Sequence, residues 1–220
     1  MRTVTETDRL LIRDWSIEDA DAALQIFGSA EVSRWLTPAM TKISDTETMR
    51  AVLCAWRDSQ PDLVKPAGRW AIVDKHTNGV VGGLSIRLLP PYEEDLELGC
   101  QLAPAAWGQG YATEASHALM HWAFRVGAVD ELYAVARPGN QRAVAAAKRL
   151  GMEWVGETDK YYDLTLQVYR LRASELDVTG LLSPDLSVQA VRAVALRIES
   201  GSSAAGHAHQ DGTSSAQSSD

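Results

Sequence analysis

Strand and helix signals alternate along the chain between residues 9 and 172. Arg9–Trp15 reads as a short strand. Ser16-Ile17-Glu18-Asp19 is a capped helix start, with Ala20, Ala23, Leu24 and Phe27 following on one face. Met49, Val52, Leu53 and Trp56 mark a second amphipathic helix. Trp70–Lys75 and Val80–Leu88 are strands around the hairpin signal His76-Thr77-Asn78-Gly79. Leu96–Leu102 is the next strand, opened by Glu93, Glu94 and Asp95. Ala112–Val126 is helical, with Ala115, Ala118, Leu119, Trp122 and Ala123 in register. A strand over Leu132–Ala136 follows, then a helix over Asn140–Leu150 closed by Gly151, then strands over Met152–Glu157 and Thr165–Arg172. The order β-α-α-β-β-β-α-β-α-β-β is mixed α/β, and only its second half alternates like a parallel βαβ unit.

Past residue 175 the pattern changes. Pro184–Glu199 carries Val191, Val194, Ala195 and Ile198 at helical spacing, and Gly201–Asp220 has no aromatic residue and no aliphatic larger than Ala. The expected organisation is a body over 1–175, an amphipathic helical extension over 176–200 and a disordered tail over 201–220, since the tail cannot offset its ordering entropy. The 220 residues, 45% hydrophobic and 23% charged, suffice for a body with its own core. Twenty-one basic against 29 acidic residues give a net charge of −8, which argues against nucleic acid as a partner. No stretch is apolar enough for a membrane span, and Met1–Leu10 is too charged for a signal peptide. Cys54 and Cys100 make no disulfide framework, so a cytoplasmic protein is expected.

The most informative stretch is Trp107-Gly108-Gln109-Gly110-Tyr111-Ala112-Thr113-Glu114-Ala115, between a strand and a helix. Glycines there let the backbone approach a ligand, and the helix N-terminus supplies free N–H groups, a combination that suits a phosphate or pyrophosphate. A tight turn with no ligand is the other reading of the glycines. The loop lacks the lysine of a P-loop, and Thr113 stands where a dinucleotide fingerprint wants a small residue. Asn140 opens the helix that ends Leu150-Gly151-Met152, either as its N-cap or as a ligand contact. His117 and His121 share a helical face, but no third ligand accompanies them, so no metal is expected.

The element order, the loop and the Asn-(x)9-Leu-Gly-Met helix resemble the GNAT superfamily of acetyl-CoA-dependent N-acyltransferases. The opening Asp8-Arg9-Leu10-Leu11-Ile12-Arg13-Asp14-Trp15 and the strand Leu96-Glu97-Leu98-Gly99-Cys100 are similar to its ribosomal-protein N-terminal (alanine) acetyltransferase-like subgroup. The resemblance covers about Thr5 to Arg172. It implies a mixed, twisted central sheet with helices on both faces and acetyl-CoA in the gap between two splayed parallel strands, here Leu96–Leu102 and Leu132–Ala136. Backbone groups of Gln101, Leu102 and Ala103 would pair with the pantetheine arm. The loop from Trp107 through Gly108, Gln109, Gly110, Tyr111, Ala112 and Thr113 would hold the pyrophosphate, with Asn140 near the thioester. Two departures stand out: Trp107 replaces a usual Gln or Arg, and Ala143 replaces a serine often found three residues after the Asn.

The implied reaction is acetyl transfer to a primary amine, a protein N-terminus or a lysine side chain, with a small-molecule amine or an idle acyl-CoA-binding or assembly module as alternatives. A homodimer is compatible with the resemblance. Attack needs a neutral nitrogen: at pH 7 an α-amine of pKa about 8 is roughly 10% neutral, and lysine near 10.4 is well below 0.1%. Glu97 is the candidate base, or else an ordinary strand carboxylate. Tyr169 is the candidate acid, with Tyr161 and Tyr162 beside it, or else these are packing aromatics. The backbone N–H after Gly99 is a candidate oxyanion donor. Arg137 or Arg142 would meet the adenosine 3′-phosphate, or else both are solvated, and Trp35 would line the acceptor cleft, or else belong to the core with Trp15, Trp56 and Trp70. The acidic balance suits a cationic acceptor without selecting one.

Overall fold

The strand signals resolve into one eight-stranded sheet in the order β1-β2-β3-β4-β5-β6-β8-β7 in a computed structural model. It describes residues 1–36, 43–91, 95–127 and 129–176. The strands are β1 (Thr3–Glu6), β2 (Leu10–Asp14), β3 (Gly68–Asp74), β4 (Val80–Leu88), β5 (Leu96–Leu102), β6 (Glu131–Ala136), β7 (Glu153–Thr158) and β8 (Leu166–Arg172). Every pairing is antiparallel except β5 with β6. The helices are α1 (Ala20–Phe27), α2 (Ala30–Ser33), α3 (Thr46–Ser59), α4 (Tyr111–Val126) and α5 (Gln141–Arg149).

Alternation sorts the side chains of β3, β4 and β5 onto two faces. Trp70, Ile72, Leu84, Ile86 and Leu98 pack with Leu119, Met120 and Trp122 of α4 in the larger core. Ala71 turns the other way, into a second core with Trp15, Phe27, Met49 and Leu53 under α1 and α3. Helices thus cover both faces, as expected.

Local chemistry sets the helix ends. The backbone N–H of Ser16 donates to Asp19 at 2.8 Å, fixing the turn that leads into α1. Asp45 caps α3 by accepting from Thr48 N at 2.7 Å. Gly151 follows α5 at φ +75°, and Met152 N reaches back to Ala147 O at 3.0 Å, so the expected C-cap is present. All seven expected strands are found. The eighth, β1, was not expected: it is a four-residue edge strand with no fully buried position, too short to show a pattern. The expected helix over 184–199 and the tail over 201–220 lie outside the described residues, as do Glu93 and Glu94. Among the described residues no helix is long and apolar enough to cross a membrane.

Candidate active site

β5 and β6 share a single register pair, Glu97 with Tyr133, and beyond it a cavity of about 840 Å³ opens between them. That is within the range of sites for sizeable small molecules. Its lining runs from Glu97 through Leu102 on β5 to Trp107, Gly108, and Gly110 through Thr113, and includes Asn140 and Arg142. Gln101 and Leu102 of the expected pantetheine strand, most of the glycine loop, Asn140 and Glu97 therefore line one cavity.

The loop is shaped by backbone conformation. Gly108 and Gly110 have φ +76° and +81°, the left-handed region that costs other L residues about 1–2 kcal/mol. Gly110 is the N-cap of the 16-residue α4, so the free N–H groups of its first turn begin at the cavity wall. The carboxylate in that first turn is drawn off: Glu114 accepts from Thr7 Oγ1 and from Arg9 Nε, the latter at 2.8 Å, with a further ion pair to the same guanidinium. Arg9 also donates to Gln109 O at 3.1 Å and lies over the Tyr111 ring at 4.8 Å. Tyr111 in turn donates to Asp74 at 3.3 Å. The opening of the chain thus clamps a loop about a hundred residues away.

Trp107 has a role its sequence position does not disclose. Its indole Nε1 donates to Leu102 O at 3.1 Å, tying the loop to the end of β5, and Arg142 stacks on the ring at 4.1 Å. Asn140 caps α5 by accepting from Ala143 N at 3.2 Å while lining the cavity, so both readings of this residue describe its position. Ala103 and Gln109 do not line the cavity: Ala103 packs against the second core, and Gln109 donates to Ala105 O at 3.2 Å. Arg137 donates to Leu36 O at 2.9 Å, and Arg142 is the one of the two that faces the cavity.

Free N–H groups, cavity-facing arginines and a carboxylate turned aside make this end of the cavity fit an anion. Arg9→Ala should weaken binding of a phosphate-bearing ligand at this end about three- to tenfold although Arg9 does not line the cavity, a change that isothermal titration would read. Unchanged affinity would show that the loop holds its shape alone.

At the other end stands Glu97, 5% exposed. Arg87 Nε donates to its Oε2 at 2.9 Å and the Tyr162 hydroxyl to the same oxygen at 2.8 Å. No side chain among the described residues takes Oε1. Burial opposes the charge on Arg87, but Glu97 and Tyr162 outweigh it and raise the guanidinium above its ordinary value. Tyr162 and Asp163 reach this place through consecutive left-handed conformations, φ 58° and 53°.

Tyr169, the expected acid, is elsewhere. It is 3% exposed in the larger core, does not line the cavity, and faces away from Glu97 because its place on β8 puts it on the α4 side. Tyr161 is held by Asp95 at 2.5 Å, and burial with that bond pushes its hydroxyl up to about 12. Cys100 lines the cavity, but burial, partly offset by a hydrogen bond with Ser116, pushes its thiol up to about 12. At neutral pH only about one such thiol in 10⁵ is a thiolate. His117 and His121 meet edge to face with ring centroids 4.7 Å apart.

The cavity also includes an aromatic chamber walled by Trp15, Phe27, Trp35 and Trp56, with the carboxylate of Glu31 in the same lining. Its floor is bare of side chains at Gly83, where a Cβ would meet Trp15 at 2.9 Å, and at Gly99, where it would meet Ser85 Oγ at 2.7 Å. Trp35 was expected to line this cleft; the wall formed by Trp15, Phe27 and Trp56 was not expected, because three separate elements supply it.

A family model described as "Acetyltransferase (GNAT) domain" matches residues 9–153. The uncharacterized N-acetyltransferase p20 of Bacillus licheniformis is 26% identical over 150 residues, 68% of this chain and 82% of its own length. The uncharacterized N-acetyltransferase YoaA of Bacillus subtilis is 24% identical over 162 residues, 73% of this chain and 89% of its own. Among solved structures, a GNAT-family acetyltransferase from Bacillus anthracis superposes with TM-score 0.64 at 19% identity, covering 78% of this chain and 99% of its own. A ribosomal-protein-S5-alanine acetyltransferase from Vibrio fischeri gives TM-score 0.62 at 15% identity, with coverages of 78% and 97%. RimL, a ribosomal L7/L12 α-N-protein acetyltransferase solved with coenzyme A, gives 0.63 at 19% identity, with coverages of 78% and 98%. The splayed strand pair, the glycine loop at a helix start and the matched domain lead to one assignment: the chain belongs to the GNAT family of acetyltransferases.

Proposed function

We propose that the chain transfers acetyl from acetyl-CoA to a primary amine seated in the aromatic chamber, by direct attack within a ternary complex. The observation that carries this reading is one cavity with an anion seat at one end and a buried carboxylate at the other. The thioester supplies an activated acetyl group. The first-turn N–H groups of α4, with Gly108, Gly110 and Arg142, hold the pyrophosphate and phosphate. The backbone of β5 from Gly99 to Leu102, unpaired where β6 departs, lies along the pantetheine arm.

Glu97 acts as base through its free oxygen Oε1, taking a proton from the ammonium through water. Arg87 and Tyr162 fix the carboxylate from the Oε2 side and are positioning residues. The neutral nitrogen gives up one proton on bond formation and the thiol product takes one, so the balance closes without a separate tyrosine acid. Holding both substrates in one site supplies several kcal/mol of the barrier. Cys100, a thiol at neutral pH, does not carry the acyl group.

The acceptor is a protein N-terminal α-amine or a lysine side chain, with a small-molecule amine as the second reading. A thiol-release assay with acetyl-CoA decides among them when run against free-N-terminus peptides, N-blocked lysine peptides and small amines. Turnover with one pool is expected. Silence in all pools, with acetyl-CoA still raising the melting temperature, would replace the enzyme by an acyl-CoA-binding module.

A further inference from the structure

The acceptor side of the cavity contains two guanidiniums in different electrostatic situations. Arg87 is paired with Glu97. Arg69, on β3, makes no ion pair among the described residues; its guanidinium lies over Trp56 at 5.7 Å. It is partly buried and lines the cavity. Burial and the charge of Arg87 both push it below the ordinary arginine value. A half-buried cation without a counter-charge is costly unless something supplies one.

The sheet register shows where that counter-charge would sit. Arg69 is opposite Ser85, and Ser85 is opposite Gly99. Residues opposite one another share a face, as do residues two apart, so Arg69, Ser85, Gly99, Arg87 and Glu97 all point into the chamber. Arg69 and Gly99 lie about two strand spacings apart, roughly 10 Å, with only a serine between them. The small floor at Gly83, Ser85 and Gly99 leaves the space between the free arginine and the carboxylate base open. A second cavity of about 310 Å³ shares Trp15, Trp56 and Arg69 with the first and is edged by Arg2, Arg57 and Lys65, with Asp14 among its walls. Arg57 is paired with Asp58. Carboxylates are present too, Glu31 on the wall of the larger cavity and Asp14 on that of the smaller, but neither pairs with Arg69 among the described residues, and cations outnumber them here in a chain of net charge −8, contrary to the cationic acceptor that the overall charge suits.

We propose that Arg69 binds a carboxylate of the acceptor, so that the substrate is an amine with an apolar or aromatic body and an acidic group close to its nitrogen. The inference rests on the transferase reading above and deepens it. The carboxylate can belong to a free amino acid or to an acidic side chain beside a peptide N-terminus.

Binding and transfer are measured separately on the full chain. Phenylacetate and phenylacetamide are titrated in the presence of coenzyme A and followed by tryptophan fluorescence, which Trp15 and Trp56 report. Phenylacetate should bind about tenfold or more tightly than the amide. Arg69→Gln should bring that ratio close to one, and Arg69→Lys should restore part of it, because charge is kept and the bidentate fork is lost. Transfer is then compared for phenylalanine against phenylalaninamide, and for pentapeptides with Glu or Gln at the second position. Preference for the acid in the first pair identifies a free amino acid, and in the second an acidic peptide end. Equal binding of phenylacetate and phenylacetamide by the unmodified protein overturns the proposal even if Arg69→Gln does not fold. So does a preference that survives Arg69→Gln. Selective binding that Arg69→Gln abolishes, with no transfer in either arm, supports the carboxylate site and counts against the transferase reading alone.

Discussion

Glu97→Gln is expected to lower kcat roughly a hundredfold to ten-thousandfold, the span of a general base, with acetyl-CoA affinity unchanged. The glutamine keeps the volume of the carboxylate and loses its proton affinity. It also removes the Glu97 half of the ion pair with Arg87, so the variant is compared with the parent well below its melting temperature. The size of the loss should depend on the acceptor. A lysine peptide, well below 0.1% neutral at pH 7, should lose more than an α-amine that is about 10% neutral. Raising the pH from 7 to 8.5 deprotonates the α-amine in solution, so it should recover part of the lost rate for that acceptor. Rate constants equal to those of the parent at both pH values would remove Glu97 from the chemistry.

The second large effect concerns the loop. Gly110→Val places a β-branched residue at φ +81°, directly at the start of α4. The left-handed conformation costs about 1–2 kcal/mol, which for a chain of this size corresponds to a melting temperature lower by about 2–8 °C. If the loop escapes the strain by changing conformation, its N–H groups turn away from the pyrophosphate, and acetyl-CoA affinity should fall at least tenfold. Gly156→Val is the control, because Gly156 has φ +138° on β7, away from the cavity. It should lower the melting temperature and leave acetyl-CoA affinity as it was. Parallel losses of affinity in both variants would mean that the loop effect is only loss of fold. Differential scanning fluorimetry with and without acetyl-CoA reads both quantities.

What could be read from the residues beforehand divides along a physical line. Features written in consecutive residues were legible: the periodicity of α4, the cap at Asn140, the closure at Gly151 and the glycine loop. Features assembled from distant segments were not. The clamp joins Arg9 to Glu114, and the hydrogen bond to Glu97 comes from Tyr162, sixty-five positions away. Tyr161, Tyr162 and Tyr169 could not be told apart by type or by neighbourhood. What separates them is the left-handed turn before β8 and the face that each residue takes, neither of which has a period. Arg69 likewise is distinctive only in the chamber, where its neighbour Arg87 has an acidic partner and Arg69 has none among the described residues.

The Arg9–Glu114 clamp also fixes a timetable. A chain made from its N-terminus exposes Arg9 long before Glu114 exists, and the two are 105 positions apart. At about 5–20 residues per second, the arginine waits about 5–20 s for its partner to be synthesised. The first strands meanwhile have unpaired edges, and the glycine loop proposed to seat the acyl donor takes its final form only after the middle of the chain has emerged. Competence to bind the acyl donor therefore arises late in biogenesis, and a nascent chain halted before Glu114 would carry an N-terminal segment already made but with nothing yet to hold.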